Sequence, residues 1–422
     1  MTRHKSLNFL YFLFIYLLLY DTYKRLINGF SKESWQVTEF LINYQGGFVR
    51  RGLLGEMILK IYYLTGVNPY TIIITTSAVA YLILILFFVR LSVKNNYSFV
   101  LLPFIFFLGN PIMNDFWIRK DILIVLIFIL TIYFSLKKSN WNLIIVNLFL
   151  IFGLLTHESL GFFCFPILFL ILFSKNKLLY NSSLIKTSFI SVSQLIPSIF
   201  VFLCVLHFKG SREAATQIWQ SWRYVNFPIQ VPYDGQLPAA IDGISWSLET
   251  GLSLGISILH NLNSGIYAPL AWILILITIY YILTNTHKIN FNVLSYKPSK
   301  KINRTTISNI LIFQFITVIP LFILGWDYSR WIFFWTTSSF AIILLVSEEK
   351  EAILFPKIIS TISTRVNNFL DSYLRNLNIL FLSTLVGFCP YAWDFASAVN
   401  SNAFLYTLRG LSAIIHHLLF PI

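Results

Sequence analysis

The sequence predicts an all-α protein, a polytopic transmembrane helical bundle of about 11 spans within a range of 10 to 12. The chain has 422 residues, of which 57% are hydrophobic and only 11% are charged, and its mean hydropathy is +0.72. Apolar runs recur along the whole chain, and most are long enough for a helix that crosses a bilayer. The runs are continuous in hydrophobicity rather than alternating, which argues against a β-barrel.

The apolar runs give the spans in chain order. The first run follows Arg3 and Lys5, and no small-residue cleavage site comes after it, so we expect an uncleaved helix with a cytoplasmic amino terminus. The last apolar stretch, 403–421, either adds a twelfth span or lies at the interface. The eleven spans, including the first one, are expected near 7–22, 70–90, 97–113, 121–136, 141–156, 160–174, 187–207, 267–284, 307–325, 331–346 and 378–391.

Charged residues are distributed unevenly across this topology. Of the 31 Lys and Arg residues, 18 fall in segments expected to face the cytoplasm, as the positive-inside rule requires. The net charge of +14 is therefore a topology signal and does not indicate a nucleic-acid partner. Of the 17 Asp and Glu residues, 13 fall on the opposite, outer side, which indicates that the chemistry takes place there.

We expect one integral-membrane domain, 1–422. Its first and its largest outward loops carry amphipathic patterns that favour helices lying on the membrane surface. In the first loop the pattern consists of Trp35, Val37, Phe40, Leu41 and Tyr44. The outward loops are 21–69 and 208–266, and the long inward loops are 286–306 and 347–377.

The run GGFVRRGLLGE, residues 46–56, places Arg50, Arg51 and Glu56 among glycines just ahead of a long apolar span. Paired arginines at a bilayer edge are costly unless they bind something, and a planar guanidinium grips a phosphate with two hydrogen bonds. We therefore expect both arginines to bind a phosphate or diphosphate, with Glu56 in support. The alternative is that they anchor a surface helix to lipid headgroups.

Three further charged clusters fall at span ends, all on the expected outer side. Ionisable residues at membrane depth are costly and are functional candidates by default. Each cluster alone could be a polar turn that caps neighbouring helices, but several on one face indicate a shared site. The clusters are Arg119-Lys120-Asp121, His157-Glu158 in the turn THES, and Asp327 with Arg330 in the turn WDYSRW.

The four clusters supply complementary chemistry. Glu158 or His157 would accept a proton from a sugar hydroxyl, because partial burial brings the pKa of a Glu toward the working pH. Asp327 is a third catalytic candidate and Asp121 a supporting residue, and either could orient the arginines or act as the base instead. The sequence shows no metal-binding spacing. The residues expected to bind the diphosphate are Arg50, Arg51, Arg119, Lys120 and Arg330.

The segments GGFVRRG and RKD, with the turns THES and WDYSRW, resemble the O-antigen or capsular polysaccharide polymerases (Wzy-type) of bacteria. The resemblance covers most of the chain by topology, but only GGFVRRG and RKD by residues. It implies a glycosyltransferase at the periplasmic face of the inner membrane that joins oligosaccharide repeat units carried on undecaprenyl diphosphate. It further implies no metal and no cofactor, with membrane lipids and a chain-length regulator as candidate partners.

Two other classes remain open at this point. GT-C-type glycosyltransferases use a polyprenyl-phosphate sugar and place a catalytic acid in the first outward loop. A flippase or transporter of lipid-linked saccharides would also need basic and aromatic residues, but it should place charges along a path through the membrane. The candidate acids for the GT-C class are Asp21, Glu33, Glu39 and Glu56.

Overall fold

The computed structural model describes residues 34–95, 118–137, 141–225, 236–261, 267–285, 303–325, 327–349 and 353–374, together with Leu382. Within these ranges the regular structure is helical and contains no strand. We number the α-helices in chain order. They are α1 Trp35–Glu39, α2 Gly52–Thr65, α3 Pro69–Lys94, α4 Asp121–Leu136, α5 Trp141–Thr156, α6 Ser159–Tyr180, α7 Leu184–Ser193, α8 Ile196–His207, α9 Arg212–Ser221, α10 Ala239–Asp242, α11 Leu248–Asn261, α12 Tyr267–Thr284, α13 Arg304–Leu324, α14 Tyr328–Glu349 and α15 Lys357–Leu374.

The all-helical class is confirmed, whereas the number of spans is not. In the described part of the chain, α3, α6, α13 and α14 contain segments long and apolar enough to cross a membrane. A fifth span results if the bent pair α7 and α8 counts as one. Both α4 and α5 have 16 residues, or about 24 Å, which is shorter than a hydrocarbon core of about 30 Å. The spans expected at 7–22, 97–113, 378–391 and 403–421 lie outside the described residues.

The span expected at 187–207 is broken into α7 and α8, which meet at an angle of 64°. Pro197 lies in the first turn of α8, a position that proline tolerates because the first turn has no intrahelical acceptor for its missing N–H. Side chains hold the break: the Asn147 amide donates to the Gln194 carbonyl at 3.0 Å, and the Ser198 hydroxyl lies 2.6 Å from Asn147 Oδ1. A polar network therefore stabilises the bend within an apolar surrounding.

Helix α14 forms the centre of the bundle, with nearly every residue from 330 to 346 buried. It packs against α3, α4, α6, α12 and α13. Its buried Thr336 and Thr337 hydroxyls donate to carbonyls one turn back, so these polar groups are satisfied inside the helix itself. The helix can therefore be surrounded by protein without leaving these two hydroxyls unpaired.

Four charged turns lie at one end of this bundle. The amino-terminal ends of α4, α6 and α14 meet there with the carboxyl-terminal ends of α5, α8 and α13. The segment that precedes α2 and the described residues 209–225 and 236–251 cover this end. Contacts between chain segments far apart in sequence thus assemble a site at the edge of the apolar region.

The first covering segment differs from its sequence prediction. Helix α1 has only five residues, and Val37, Phe40 and Leu41 are buried inside the protein rather than lying on a membrane surface. The Trp222 indole donates to the Leu41 carbonyl at 2.8 Å and fixes the segment beneath the end of α9. Helices do form elsewhere in the expected outward loops: α2 in 21–69, and α9, α10 and α11 in 208–266.

Packing requires three of the four glycines of GGFVRRGLLGE, namely Gly46, Gly52 and Gly55. A Cβ on Gly46 would lie 2.4 Å from the Ala214 carbonyl oxygen, and a Cβ on Gly55 would lie 2.0 Å from the Ile42 carbonyl oxygen. Arg51, between them, has φ of 67°, a left-handed conformation that is uncommon for a residue with a side chain. The run is therefore a tightly packed turn that presents the two arginines at the start of α2.

Candidate functional site

A pocket of about 660 Å³ lies at the end of the bundle where the charged turns meet. Its lining combines a charged wall with aromatic and apolar side chains. The charged wall combines residues from the turn before α2, the starts of α4, α6 and α14, and the chain after α8. The charged residues of the wall are Arg50, Arg51, Arg119, Glu158, Lys209, Asp327 and Arg330.

The first of two ion-pair groups, which we call clamp one, holds Glu158 between Arg50 and Arg51. The Arg51 Nε lies 3.1 Å from Glu158 Oε1 and 2.9 Å from Oε2, and its Nη2 also donates to Oε1. Arg50 Nη1 lies 3.7 Å from the same Oε1. Glu158 precedes the first residue of α6, so its carboxylate faces the pocket from a helix amino terminus.

A second carboxylate supports clamp one from behind. The Glu39 side chain is only 1% exposed, and Arg51 Nη1 donates to its Oε1 at 3.3 Å. Sequence reasoning named Glu39 only as a candidate acid of the first outward loop and did not place it with His157 and Glu158. No spacing relates it to that turn, because Glu39 is the last residue of α1 and reaches Arg51 only through the fold.

His157 is a neutral ring in this arrangement. Its Nδ1 accepts the Ser159 backbone N–H at 3.1 Å, so the ring proton is on Nε2, which lies 3.4 Å from Glu39 Oε1. Burial lowers the pKa of His157 most, and Arg51 lowers it further, against the opposing effect of Glu158 and Glu39. His157 therefore orients Glu39 rather than contributing a charge.

Clamp two repeats the plan of clamp one on the other side of the charged wall. Asp327 Oδ2 accepts from Arg119 Nη1 at 3.1 Å and from Arg330 Nη1 at 2.9 Å. The buried Asp121 supports Arg330 from behind, accepting from its Nε at 2.7 Å and its Nη2 at 2.6 Å. Each clamp thus consists of two arginines, one carboxylate at the pocket and one buried carboxylate.

The arginines keep the site's carboxylates ionised. Burial alone would raise the pKa of Glu158, but Arg51 and Arg50 hold it well below the ordinary value. The pKa of Glu39 is likewise well below its ordinary value despite burial, because of His157 and Arg51. The pKa of Asp327 is lowered by Arg119 and Arg330 against burial. A carboxylate held in this way is a weak base.

The charged wall carries an excess of positive charge. Five basic side chains line the pocket against two acidic ones, Glu158 and Asp327, which gives a formal charge of +3. The buried Glu39 and Asp121 offset two of these charges, and the buried Lys120 restores one. Helix amino termini add to the excess, because α2, α4, α6 and α14 all begin at this wall. Lys209 was not among the residues predicted from the sequence.

Three predicted site residues do not line the pocket: Asp121, which supports Arg330 from behind, Lys120 and Glu56. Lys120 is fully buried, and its Nζ donates to the Arg51 carbonyl at 2.8 Å, which holds the left-handed turn in place. Burial lowers the pKa of Lys120 to about 8. Glu56 accepts from the Tyr44 N–H at 3.2 Å and lies 3.5 Å from Lys60, so it closes the turn before α2.

The remaining lining of the pocket is largely aromatic and apolar. The Trp35 and Trp246 rings lie 5.9 Å apart at an angle of 55°, and the Trp246 indole donates to Asp242 at 3.1 Å. Apolar surface comes from the ends of α6, α8 and α13, which contribute Phe162, Leu206 and Leu324 to the lining. One pocket therefore combines surfaces suited to an anion, to the apolar face of a sugar ring and to a hydrocarbon chain.

No protein-family model, curated protein or solved structure matches this chain. The described residues contain no group of three His, Cys, Asp or Glu side chains arranged to hold a metal ion. The apolar helices indicate a membrane protein with a cationic pocket at one end of its helical bundle.

Proposed function

We propose that this protein is a membrane glycosyltransferase that polymerises undecaprenyl-diphosphate-linked oligosaccharide units into O-antigen or capsular polysaccharide. The reaction would take place at the periplasmic face of the inner membrane of a bacterium. The observation that carries the proposal is the pair of clamps, in which two carboxylates, Glu158 and Asp327, are each held by two arginines within one pocket.

Two clamps suit two phosphoryl groups. A carboxylate between two arginines occupies the kind of position that a phosphoryl group fills, since both are planar or tetrahedral oxyanions that accept guanidinium hydrogen bonds. A diphosphate would engage Arg50 and Arg51 with one phosphoryl group and Arg119 and Arg330 with the other. The formal charge of +3 on the pocket wall supports a ligand with more than one negative charge.

The remaining surfaces of the pocket suit the other parts of such a substrate. Trp35 and Trp246 offer ring faces to a saccharide next to the charged wall. Phe162, Leu206 and Leu324 offer an apolar path for the polyprenyl chain from the bilayer. Substrate would therefore lie with its diphosphate at the junction between sugar and lipid.

The proposed chemistry is a substitution at the anomeric carbon of the donor chain. The acceptor hydroxyl oxygen forms the new glycosidic bond, and the bond between the anomeric carbon and the phosphate oxygen breaks. Its electron pair leaves with undecaprenyl diphosphate, whose charge the clamp arginines stabilise. The hydroxyl proton passes to a carboxylate of the pocket, for which Glu158 is our first candidate.

A second candidate function is a GT-C-type transfer from a polyprenyl-phosphate sugar. One observation favours it: Glu39, an acid of the first outward segment, contacts both Arg51 and His157 of the site. Glu39 does not line the pocket, however, and its side chain is 1% exposed, so it is poorly placed to meet a sugar hydroxyl. A monophosphate would also occupy only one of the two clamps.

Deleting the gene in its host tests the proposal. We expect the deletion strain to carry single repeat units on its surface lipid, or to lose its capsule, and to regain long polymer on complementation. Normal long polymer in the deletion strain would contradict the proposal. Long polymer that lacks one sugar branch would support the GT-C-type function, and lipid-linked units retained on the cytoplasmic leaflet would indicate a flippase.

A further inference from the structure

We infer that the Arg50–Arg51 pair exchanges its carboxylate partner for a phosphoryl group of the substrate, and that this exchange frees Glu158 to act as the base. The inference rests on the proposed function, because it requires a diphosphate in the pocket. It concerns clamp one only. It also assigns the other carboxylate of the clamp, Glu39, as a positioning residue that keeps Arg51 in place during the exchange.

The two carboxylates on Arg51 differ in the way that an exchange requires. Glu158 lines the pocket with its side chain 10% exposed, whereas Glu39 is 1% exposed and does not reach the pocket. Glu39 also faces His157 Nε2 at 3.4 Å, so both Arg51 and His157 hold it. An anion that enters the pocket therefore competes with Glu158 for Arg51 and leaves Glu39 behind it.

The guanidinium geometry allows the exchange without moving Arg51. Its Nη1 points to Glu39, while its Nε and Nη2 both point to Glu158 on the pocket side. The Nε and Nη2 edge is the bidentate edge that binds a carboxylate or a phosphate equally well. Each phosphoryl group of a lipid-linked diphosphate carries one negative charge, as the carboxylate does, but the diphosphate as a whole carries two and also engages the arginines of clamp two. The diphosphate is therefore the stronger partner for this edge.

The exchange changes the proton affinity of Glu158. While Arg51 and Arg50 hold it, its pKa stays well below the ordinary value, and it is a poor base. Once a diphosphate takes the arginines, Glu158 loses their attraction and gains a negative neighbour, and both effects raise its pKa. The base would therefore become competent only when the donor is bound.

Other charged groups near Glu158 do not substitute for the arginines. His157 is neutral, and its Nδ1, 3.6 Å from Glu158, already accepts the Ser159 N–H. Lys120 directs its Nζ to the Arg51 carbonyl from the start of α4. The groups that face Glu158 or its arginine partners from every neighbouring element are Arg50, Arg51, His157, Glu39, Lys120 and Arg330.

Calorimetric titration of the full-length protein in detergent with inorganic pyrophosphate tests the exchange. Titrations in buffers of different ionisation enthalpy count the protons that are taken up on binding. They are made at about pH 5.5, which is roughly one unit above the ordinary pKa of Glu. Comparing the wild type with Glu158→Gln removes the contribution of pyrophosphate's own protons. Glu213→Gln, an exposed carboxylate on α9, is the matched control.

We expect the wild type and Glu213→Gln to take up more protons per bound pyrophosphate than Glu158→Gln. We also expect Glu158→Gln to bind pyrophosphate roughly 10-fold more tightly, because the competing carboxylate is gone. Equal proton uptake and equal affinity in the wild type and Glu158→Gln would overturn the exchange but leave the proposed function standing. A wild type that does not bind pyrophosphate would contradict the proposed function as well.

A second pair of measurements separates the two carboxylates and covers a poorly folded Glu158→Gln. In Glu39→Gln the extra proton uptake should persist, since Glu158 is still present. If the extra uptake instead vanished in Glu39→Gln and persisted in Glu158→Gln, Glu39 would be the carboxylate that takes up the proton, and the assignment of the two roles would be overturned. Infrared difference spectra of the wild type should show a protonated carboxyl band when pyrophosphate is added. A spectrum without that band would also overturn the exchange.

Discussion

Glu39 and Glu158 share one guanidinium, that of Arg51, whose Nη1 lies 3.3 Å from Glu39 Oε1 and whose Nε lies 2.9 Å from Glu158 Oε2. The left-handed backbone at Arg51 and the Lys120 hydrogen bond to its carbonyl fix the direction of this side chain. One arginine therefore connects the buried side of the site with its pocket. The charged wall depends on this residue more than on any other that we describe.

Replacing Arg51 by Ala should abolish polymer formation while the protein still accumulates in the membrane. Loss of a charge-assisted bidentate contact to the leaving diphosphate should cost about 2–4 kcal/mol, or roughly 30- to 1000-fold in rate. Arg119→Ala should have a comparable effect through clamp two. Gel analysis of surface polysaccharide measures the product and an immunoblot measures the protein.

Arg365→Ala is the matched control for these two variants. Arg365 is exposed on α15, a helix that contributes no residue to the pocket, so its loss should leave chain length unchanged. Wild-type chain lengths in both Arg51→Ala and Arg119→Ala would refute the assignment of the clamps to a diphosphate.

Acid should destabilise the protein through clamp one. The folded-state pKa values of Glu39 and Glu158 are well below the ordinary value of 4.5, so their stabilising contribution is complete above about pH 4.5. It is lost as the pH falls through the folded-state values, because the unfolded chain then binds more protons. Thermal unfolding of the detergent-solubilised wild type should therefore show a Tm that decreases below pH 4.5.

Glu39→Gln should make the Tm depend less on pH below pH 4.5. At neutral pH it should lower the free energy of unfolding by about 1–3 kcal/mol, which is seen as a lower Tm. An equally steep acid dependence in Glu39→Gln and in the wild type would show that Glu39 is not part of the acid-sensitive pair. Glu213→Gln again provides the exposed carboxylate for comparison.

Gly55→Ala should destabilise the protein because the new Cβ would lie 2.0 Å from the Ile42 carbonyl oxygen. Backbone cannot yield as a flexible side chain does, so we expect a loss of about 2 kcal/mol or more in the free energy of unfolding. Gly251→Ala is the matched change: it lies within α11 and its Cβ would meet nothing within 4 Å. There alanine should raise stability by about 1 kcal/mol through helix propensity. Equal Tm values in the two variants would contradict the packing account.

The four charged turns could be predicted from the sequence as one site because alternating spans bring every second turn to the same side. Arg119, Glu158 and Asp327 all lie at that end. Glu39 could not be assigned in this way, since it ends a five-residue helix and meets Arg51 only after the segment folds beneath α9. Lys209 also lacked a signal, because it stands alone after α8.

Two features of the fold were predicted less well. The run 187–207 has the composition of one straight span, but Pro197 and the contacts of Asn147 divide it into two helices. The pattern at 35–44 was interpreted as a helix on the membrane surface, whereas Phe40 and Leu41 are buried by protein. An amphipathic pattern indicates that one face is buried but not what buries it.

Trp35→Ala should weaken binding of the saccharide part of the substrate while leaving the diphosphate site intact. Trp35 lies beside Trp246 in the aromatic part of the pocket lining and belongs to neither clamp, and each stacked aromatic contributes about 0.5–1.5 kcal/mol beyond its buried area. We expect a higher KM for the lipid-linked oligosaccharide and an unchanged affinity for inorganic pyrophosphate. A parallel loss of pyrophosphate affinity would show that Trp35 supports the clamps instead.

Reconstitution tests the central claim most directly. The purified protein, placed in liposomes with undecaprenyl-diphosphate-linked repeat units from its host, should convert them into a ladder of longer lipid-linked chains. The Arg51→Ala protein should leave single units unchanged under the same conditions. Single units that persist with the wild type, while a polyprenyl-monophosphate sugar is consumed, would contradict the account.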